Sequence, residues 1–259
     1  MAWILHSVEL PFANLFRALV ILPIAIPSYV FTFSWISLYP SLQGFWAAVF
    51  VLVLSTTPFV TLAALAALRR VDWSQHEVAQ TLGLNTAATF LQVTLPQIRN
   101  SIAAGSLLVA LYVLSDFGAV SLLGVDTFTR SIANLYRGSF DRSTAAVLAL
   151  ILVSISAVII GIESRTRSRS KLTKSSTRII TAQQLLRSSK SRATSTLIAL
   201  SYVTLSLLLP LALLVIRFLS NSTTIDYSSL VRAALSTVIA SSLGALIALL
   251  LALPLGILV

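Results

Sequence analysis

Long apolar runs alternate with short polar ones along this chain, at about 15–38, 44–68, 99–123, 144–162, 196–216 and 232–257. Each is close to the roughly 20 residues that an α-helix needs to cross a bilayer core. The pattern predicts an all-α polytopic membrane protein of about six transmembrane helices. Pro23 and Pro27 should kink the first span, which neighbouring helices can tolerate by satisfying the freed carbonyls. Between the second and third spans the pattern changes. From Glu77 to Pro96 the chain reads EVAQTLGLNTAATFLQVTLP, a polar, helix-forming insert.

Charge orients these spans. Arg165, Arg167, Arg169, Lys171, Lys174, Arg178, Arg187, Lys190 and Arg192 form a basic tract with no acidic residue, and the positive-inside rule places it in the cytoplasm. Alternation then puts residues 69–98 in the cytoplasm too, flanked by Arg69, Arg70 and Arg99. Residues 39–43, 124–143 and 218–231 fall outside. Trp35, Tyr39 and Trp46 bracket the first outer loop, as interfacial aromatic residues do. The opening fourteen residues are too short and mixed for a secretory signal, and Glu9 and Arg17 sit near the membrane edge.

Composition agrees: 57% of the 259 residues are hydrophobic and 10% charged, too apolar for a soluble domain's surface. The absence of cysteine excludes disulfides and thiolate sites, and two histidines make a His-built metal centre a poor expectation. A net charge of +10 raises nucleic acid as a partner. The basic tract lacks aromatic residues, however, and reads better as a solvated linker beside anionic lipid headgroups. No nucleic-acid partner is expected.

The insert has its own physical grammar. Ser74 and Glu77 have capping-box spacing, so a helix should begin at Ser74. Gly83 allows a bend, Asn85 can cap a second short helix, and Pro96 fits a break before the third span. The expected object is a helix–turn–helix elbow on the membrane surface, with apolar contacts from Val78, Leu82, Leu84, Phe90 and Leu91. Taken singly, Glu77 is as well explained as a cap and Gly83 as a turn. Their joint spacing with Ala79, Val93, Leu95 and Pro96 resembles the EAA loop of ABC-transporter permeases. Val78 stands where that motif usually has alanine, and Val93 where isoleucine is common.

Two further stretches, LPIAIPSYV (Leu22–Val30) and SDFGAVSLLGVDTFTRSI (Ser115–Ile132), resemble ferric-iron transport permeases of the binding-protein-dependent class. The resemblance covers about residues 2–163. Relatives for thiamine, phosphonate, sulfate, polyamine and other small solutes share much of this architecture. It implies a transport subunit without enzymatic activity or cofactor, in a bacterial cell membrane, coupling ATP hydrolysis on a partner to solute translocation. The chain itself has no GxxxxGK[ST] phosphate loop. Implied partners are ABC ATPase subunits, an extracytoplasmic substrate-binding protein, membrane lipid, and a second permease half or a homodimer partner. Glu77, Ala79 and Gly83 would lie at the ATPase contact, with Val93, Leu95 and Pro96 completing the loop.

Asp116 is the acidic residue placed well inside an expected span. It is either a translocation-pathway carboxylate or a cap that bends the helix before Gly118. Arg130, Arg137, Asp141 and Arg142 either meet a binding protein or are simply solvated. The expected organisation is a permease domain over 1–163 that lacks its first helices, a basic linker over 164–195, and over 196–259 the truncated start of a second repeat. The chain is thus expected to be partial, a fragment or split gene. The competing functions are a gradient-driven secondary transporter, which should carry several ionisable groups within its spans, an intramembrane enzyme, which needs clustered polar groups there, and a nonfunctional remnant.

Overall fold

The computed structural model describes residues 1–8, 12–138, 141–168, 189–220 and 226–258, without the side chains of 166–168, 189–192 and 255–258. The basic linker tract lies largely outside the described residues. Among the described residues thirteen α-helices run in order: α1 (Ala2–Ser7), α2 (Ala13–Ile21), α3 (Ser28–Leu38), α4 (Phe45–Leu68), α5 (Trp73–Thr81), α6 (Thr86–Thr89), α7 (Leu95–Ser115), α8 (Gly118–Leu122), α9 (Phe128–Arg137), α10 (Arg142–Ser168), α11 (Ser189–Val203), α12 (Leu209–Ser220) and α13 (Tyr227–Leu258). A 3-10 turn at Leu22–Ala25 extends α2, and π turns at Phe90–Thr94 and Thr204–Leu208 join α6 to α7 and α11 to α12. Five of the described helical stretches are long and apolar enough to cross a membrane, and a sixth arises if the bent α2–α3 pair is one span. The protein is an all-α, multi-pass membrane protein.

The contacts divide the chain into Met1–Val215 and Ile216–Val259. The second unit contains the end of α12 and all of α13. In the first, α11 packs against α2, and the π turn that follows it packs against α4.

The first unit is organised on α4 and α7. Leu68 buries with Ile98, Val60 meets Gly105, and the Phe59 and Tyr112 rings lie 5.5 Å apart, so the two helices run antiparallel. Gly105 permits the approach: a Cβ there would sit 2.9 Å from the Val60 Cα and 3.0 Å from the Ala63 Cβ. Small residues at such a crossing let helix backbones pack by direct contact where lipid offers no hydrophobic drive. A core of Leu5, Val20, Phe31, Val51, Ala119, Leu123 and Val203 lies against this pair.

Proline and its consequences set several bends. The first span, expected as one kinked helix, is two helices bent by 97°. Pro27 has no N–H to continue the ladder and forces Ile26 into extended backbone at φ −89°, ψ 118°. In α4, Pro58 leaves the Leu54 carbonyl without its helical donor. The Tyr202 hydroxyl of α11 donates to that carbonyl at 3.0 Å, which fastens α11 to α4.

Two expected boundaries move. Pro96 does not break the third span: helix runs on from Thr86 to Ser115. The π turn brings the Leu95 N–H to the Phe90 carbonyl, and Pro96 sits in the next turn, where a missing N–H is tolerated. The same span ends at Ser115 rather than near 123, because Asp116 is extended at φ −69°, ψ 126°.

The candidate coupling elbow and the buried break at Asp116

The insert folds as a helical elbow, with a different first cap from the one its spacing suggested. Asp72 accepts the Ser74 N–H at 3.1 Å and the Ser74 hydroxyl at 2.6 Å. The helix therefore starts at Trp73, and Ser74 lies inside its first turn rather than capping it. A carboxylate two residues upstream outcompetes a hydroxyl because it accepts from both groups at once and favours the positive helix end. These bonds hold the Asp72 carboxyl below its ordinary range.

At the other end Gly83 adopts φ +93°, a conformation that side chains resist. The Leu84 N–H reaches back to the Ala79 carbonyl at 3.1 Å. Asn85 then caps α6, accepting the Ala88 N–H at 2.8 Å. Ala79 is buried, Glu77, Val93 and Leu95 are half-buried, and Gly83 and Pro96 are exposed. The apolar residues divide in a way the sequence did not suggest. Phe90 packs inward, whereas Val78, Leu82 and Leu91 are 56%, 79% and 58% exposed. Their faces are turned outward because the inner surface of α5 is already filled by His76 and Ala79.

What fills the inside of the elbow is a cluster that the hydrophobic pattern did not reveal. Trp3 of α1 lies 4.6 Å from Phe90 and 6.0 Å from Trp73, ring centre to ring centre, and His6 stacks on Trp73 at 5.2 Å. Buried His76 joins it, with Nδ1 3.2 Å from the Thr94 hydroxyl and Nε2 3.3 Å from Gln80. Both histidines of the chain are thus gathered at one joint. Burial holds both imidazoles below the ordinary histidine range. Arg17 and Arg69 push His6 the same way, while Glu77 pulls His76 partly back. The available signal was the run of aromatic and imidazole residues at 3, 6, 73, 76 and 90.

Asp116 lies at the far end of α7 from the elbow, with 7% of its surface exposed. Its Oδ1 accepts from the Ser28 hydroxyl at the start of α3, and its Oδ2 accepts the Ala119 N–H of α8 at 2.9 Å. Its carbonyl accepts from the Thr129 hydroxyl of α9 at 2.8 Å. One residue thus joins the ends of four helices, with both carboxylate oxygens engaged. Gly118 completes the seam, since a Cβ there would stand 2.9 Å from that of Tyr29.

Three of the charges expected in the outer loop, Arg130, Asp141 and Arg142, have local partners. Arg130 pairs with Asp126 at 3.0 Å, Asp141 accepts the Thr144 N–H at 3.0 Å, and Arg142 lies over the Tyr136 ring at 5.6 Å. Among the described residues no three His, Asp or Glu side chains come together as a metal-holding group.

The family described as "Binding-protein-dependent transport system inner membrane component" matches residues 4–169. Over 145 residues the chain is 39% identical to the Fe(3+)-transport system permease protein FbpB 2 of Haemophilus influenzae, covering 56% of this chain and 29% of that one. The molybdate/tungstate transport system permease protein WtpB of Pyrococcus furiosus is 28% identical over 159 residues, covering 60% of this chain and 64% of its own length. The sulfate transport system permease protein CysT of Escherichia coli is 28% identical over 181 residues, covering 62% and 65%. The chain spans less than two thirds of each of these relatives.

Proposed function

We propose, from the premise that this chain belongs to the family of binding-protein-dependent transport system inner membrane components, that its elbow is the surface through which an ATPase subunit drives the permease. The observation that carries this reading is the apolar patch of Val78, Leu82 and Leu91 held outward on a capped, rigid helix pair. Monomeric surfaces gain nothing by presenting clustered apolar residues, whereas a partner's groove does. Half-buried Glu77 lies beside the patch and gives the contact a charge to read. Because α6 runs without a break into α7, a push on the elbow is passed along a 30-residue helix to the break at Asp116.

In this reading the chain is the non-enzymatic membrane subunit of an ABC importer. ATPase subunits lie on its cytoplasmic side and a substrate-binding protein on the other. A second permease half or a second copy completes the pathway. Ferric iron is the proposed cargo, supported by the 39% identity to the ferric-transport relative. A molybdate-, tungstate- or sulfate-type oxyanion is the second reading, favoured by relatives that align over 64% and 65% of their lengths against 29%. Asp116, read from the sequence as either a pathway carboxylate or a helix cap, has its carboxylate committed to Ser28 and Ala119, so we assign it to the seam rather than to the cargo. The division into a permease domain over 1–163, a basic linker and the start of a second repeat from 196 remains part of the proposal.

The test is co-purification of a candidate ATPase subunit expressed together with this chain. Glu77→Lys should abolish association while leaving the membrane level of the chain unchanged. Undiminished association sinks the coupling assignment. Uptake of labelled ferric iron, molybdate and sulfate by cells carrying the complete system separates the two cargo readings.

A further inference from the structure

Residues on α1 and α7 close a circuit that the elbow's covalent neighbours do not explain. The elbow is joined through the chain to α4 on one side and α7 on the other. It is also joined without a covalent link to α1, by Trp3 against Phe90 and Trp73 and by His6 against Trp73. From α1 the path continues: the Arg17 guanidinium of α2 donates to the Leu5 carbonyl from Nε and Nη2 at 3.4 and 3.3 Å. Helix α2 leads to the 97° bend at Ile26–Pro27, and beyond it α3 begins at Ser28. Ser28 donates to Asp116, which terminates α7. Helix α7 returns to the elbow.

We propose that α1–α2–α3 is a lever worked by the elbow, clamped to it at one limb by Trp3 and to the far end of α7 by the Asp116–Ser28 hydrogen bond. Trp3 and Ser28 are positioning residues: neither meets the ATPase or the cargo, and each fixes one limb of the bent pair. The inference rests on the coupling reading of the elbow and extends it. A displacement of α5 reaches α2 through the aromatic joint, and the same displacement reaches α3 through α7. The two limbs meet at a bend whose backbone ladder proline has already interrupted, so the bend can change angle without breaking a helical hydrogen bond at Pro27. A coupling path of this kind needs an element with two arrangements that both ends bias. The α2–α3 bend is that element. The competing account is that the elbow acts through α4 and α7 alone, with α1 as packing.

The chain contains no cysteine, so spin labels can be placed uniquely at the exposed positions Phe33 on α3 and Leu150 on α10. The complete transporter carrying Phe33→Cys and Leu150→Cys would be reconstituted in nanodiscs. The label-to-label distance would then be compared without nucleotide and with ATP plus vanadate. The expected result is a nucleotide-dependent shift that falls to less than half in Trp3→Ala and in Ser28→Ala, while ATPase co-purification is retained. Trp3→Phe, which keeps an aromatic ring at the joint, should preserve the shift. Should Trp3→Ala fail to assemble, Ser28→Ala and Trp3→Phe still decide. A shift of parental size in Ser28→Ala, or no shift in the parent, overturns the lever and leaves the coupling reading standing. Failure of the unaltered chain to bind the ATPase removes the coupling reading, and the lever falls with it.

Discussion

Tyr202 and Gly105 carry out opposite tasks against the same helix, α4. Tyr202 supplies a donor to the Leu54 carbonyl that Pro58 strands inside α4. Tyr202→Phe removes that donor and leaves an acceptor in the core, at a cost of about 1 kcal/mol given how membrane hydrogen bonds measure. Thermal unfolding in detergent should show a lower midpoint, and an unchanged midpoint would mean that water replaces the hydroxyl. Gly105 works by what it lacks. Gly105→Val would drive atoms into the Val60 Cα and the Phe59 carbonyl, so α4 and α7 must part. Overpacking of this kind costs ~1–3 kcal/mol. The expected outcome is a destabilised chain whose loss exceeds that of Tyr202→Phe. Pro58 and the glycine were both visible in the sequence. Their partners were not, since Tyr202 is 148 residues from Leu54 and nothing local points from one to the other.

At the scale of elements, the elbow was the most legible part of the chain. Gly83 at a turn and Asn85 at a cap are local physics, settled within three or four residues, and there the sequence is sufficient. The first cap was misread because Ser74 and Asp72 compete for the same amides, and geometry decides between them. The inward face was unreadable for another reason: its filler comes from α1, a short segment with no periodicity to mark it. That face responds to acid. Burial lowers the affinity of His6 and His76 for protons, so the unfolded chain binds protons more readily than the fold does. Stability should therefore be full above about pH 6.5, the ordinary histidine value, and fall as pH drops below it towards the depressed folded values. Emission from Trp3 and Trp73, isolated by Trp35→Phe and Trp46→Phe, would report the joint loosening. A signal flat from pH 7 to 5 would show that the imidazoles do not titrate there.

The whole molecule was legible in class and in number of spans because hydrophobic length is a global property that survives errors of several residues. The 97° bend was not, since two prolines announce a kink without fixing its size. Span alternation, though, survives that surprise. Helices α4 and α7 are antiparallel, so the elbow and the break at Asp116 must lie at opposite membrane faces whichever way the bent pair is counted. The sign of the arrangement is an expectation from sequence: the positive-inside rule, applied to the nine basic residues between 165 and 192, predicts the cytoplasm for the end of α10 and with it the elbow. A cysteine-free chain makes this directly measurable. Thr81→Cys on the elbow should react with a membrane-impermeant maleimide in inverted vesicles and stay unmodified in intact spheroplasts. Asp126→Cys in the loop after α8 should do the reverse. Labelling of both from one side would contradict the antiparallel pair. Exchange of the two patterns would preserve the fold but turn the molecule over, placing the Val78, Leu82 and Leu91 patch where no ATPase could reach it.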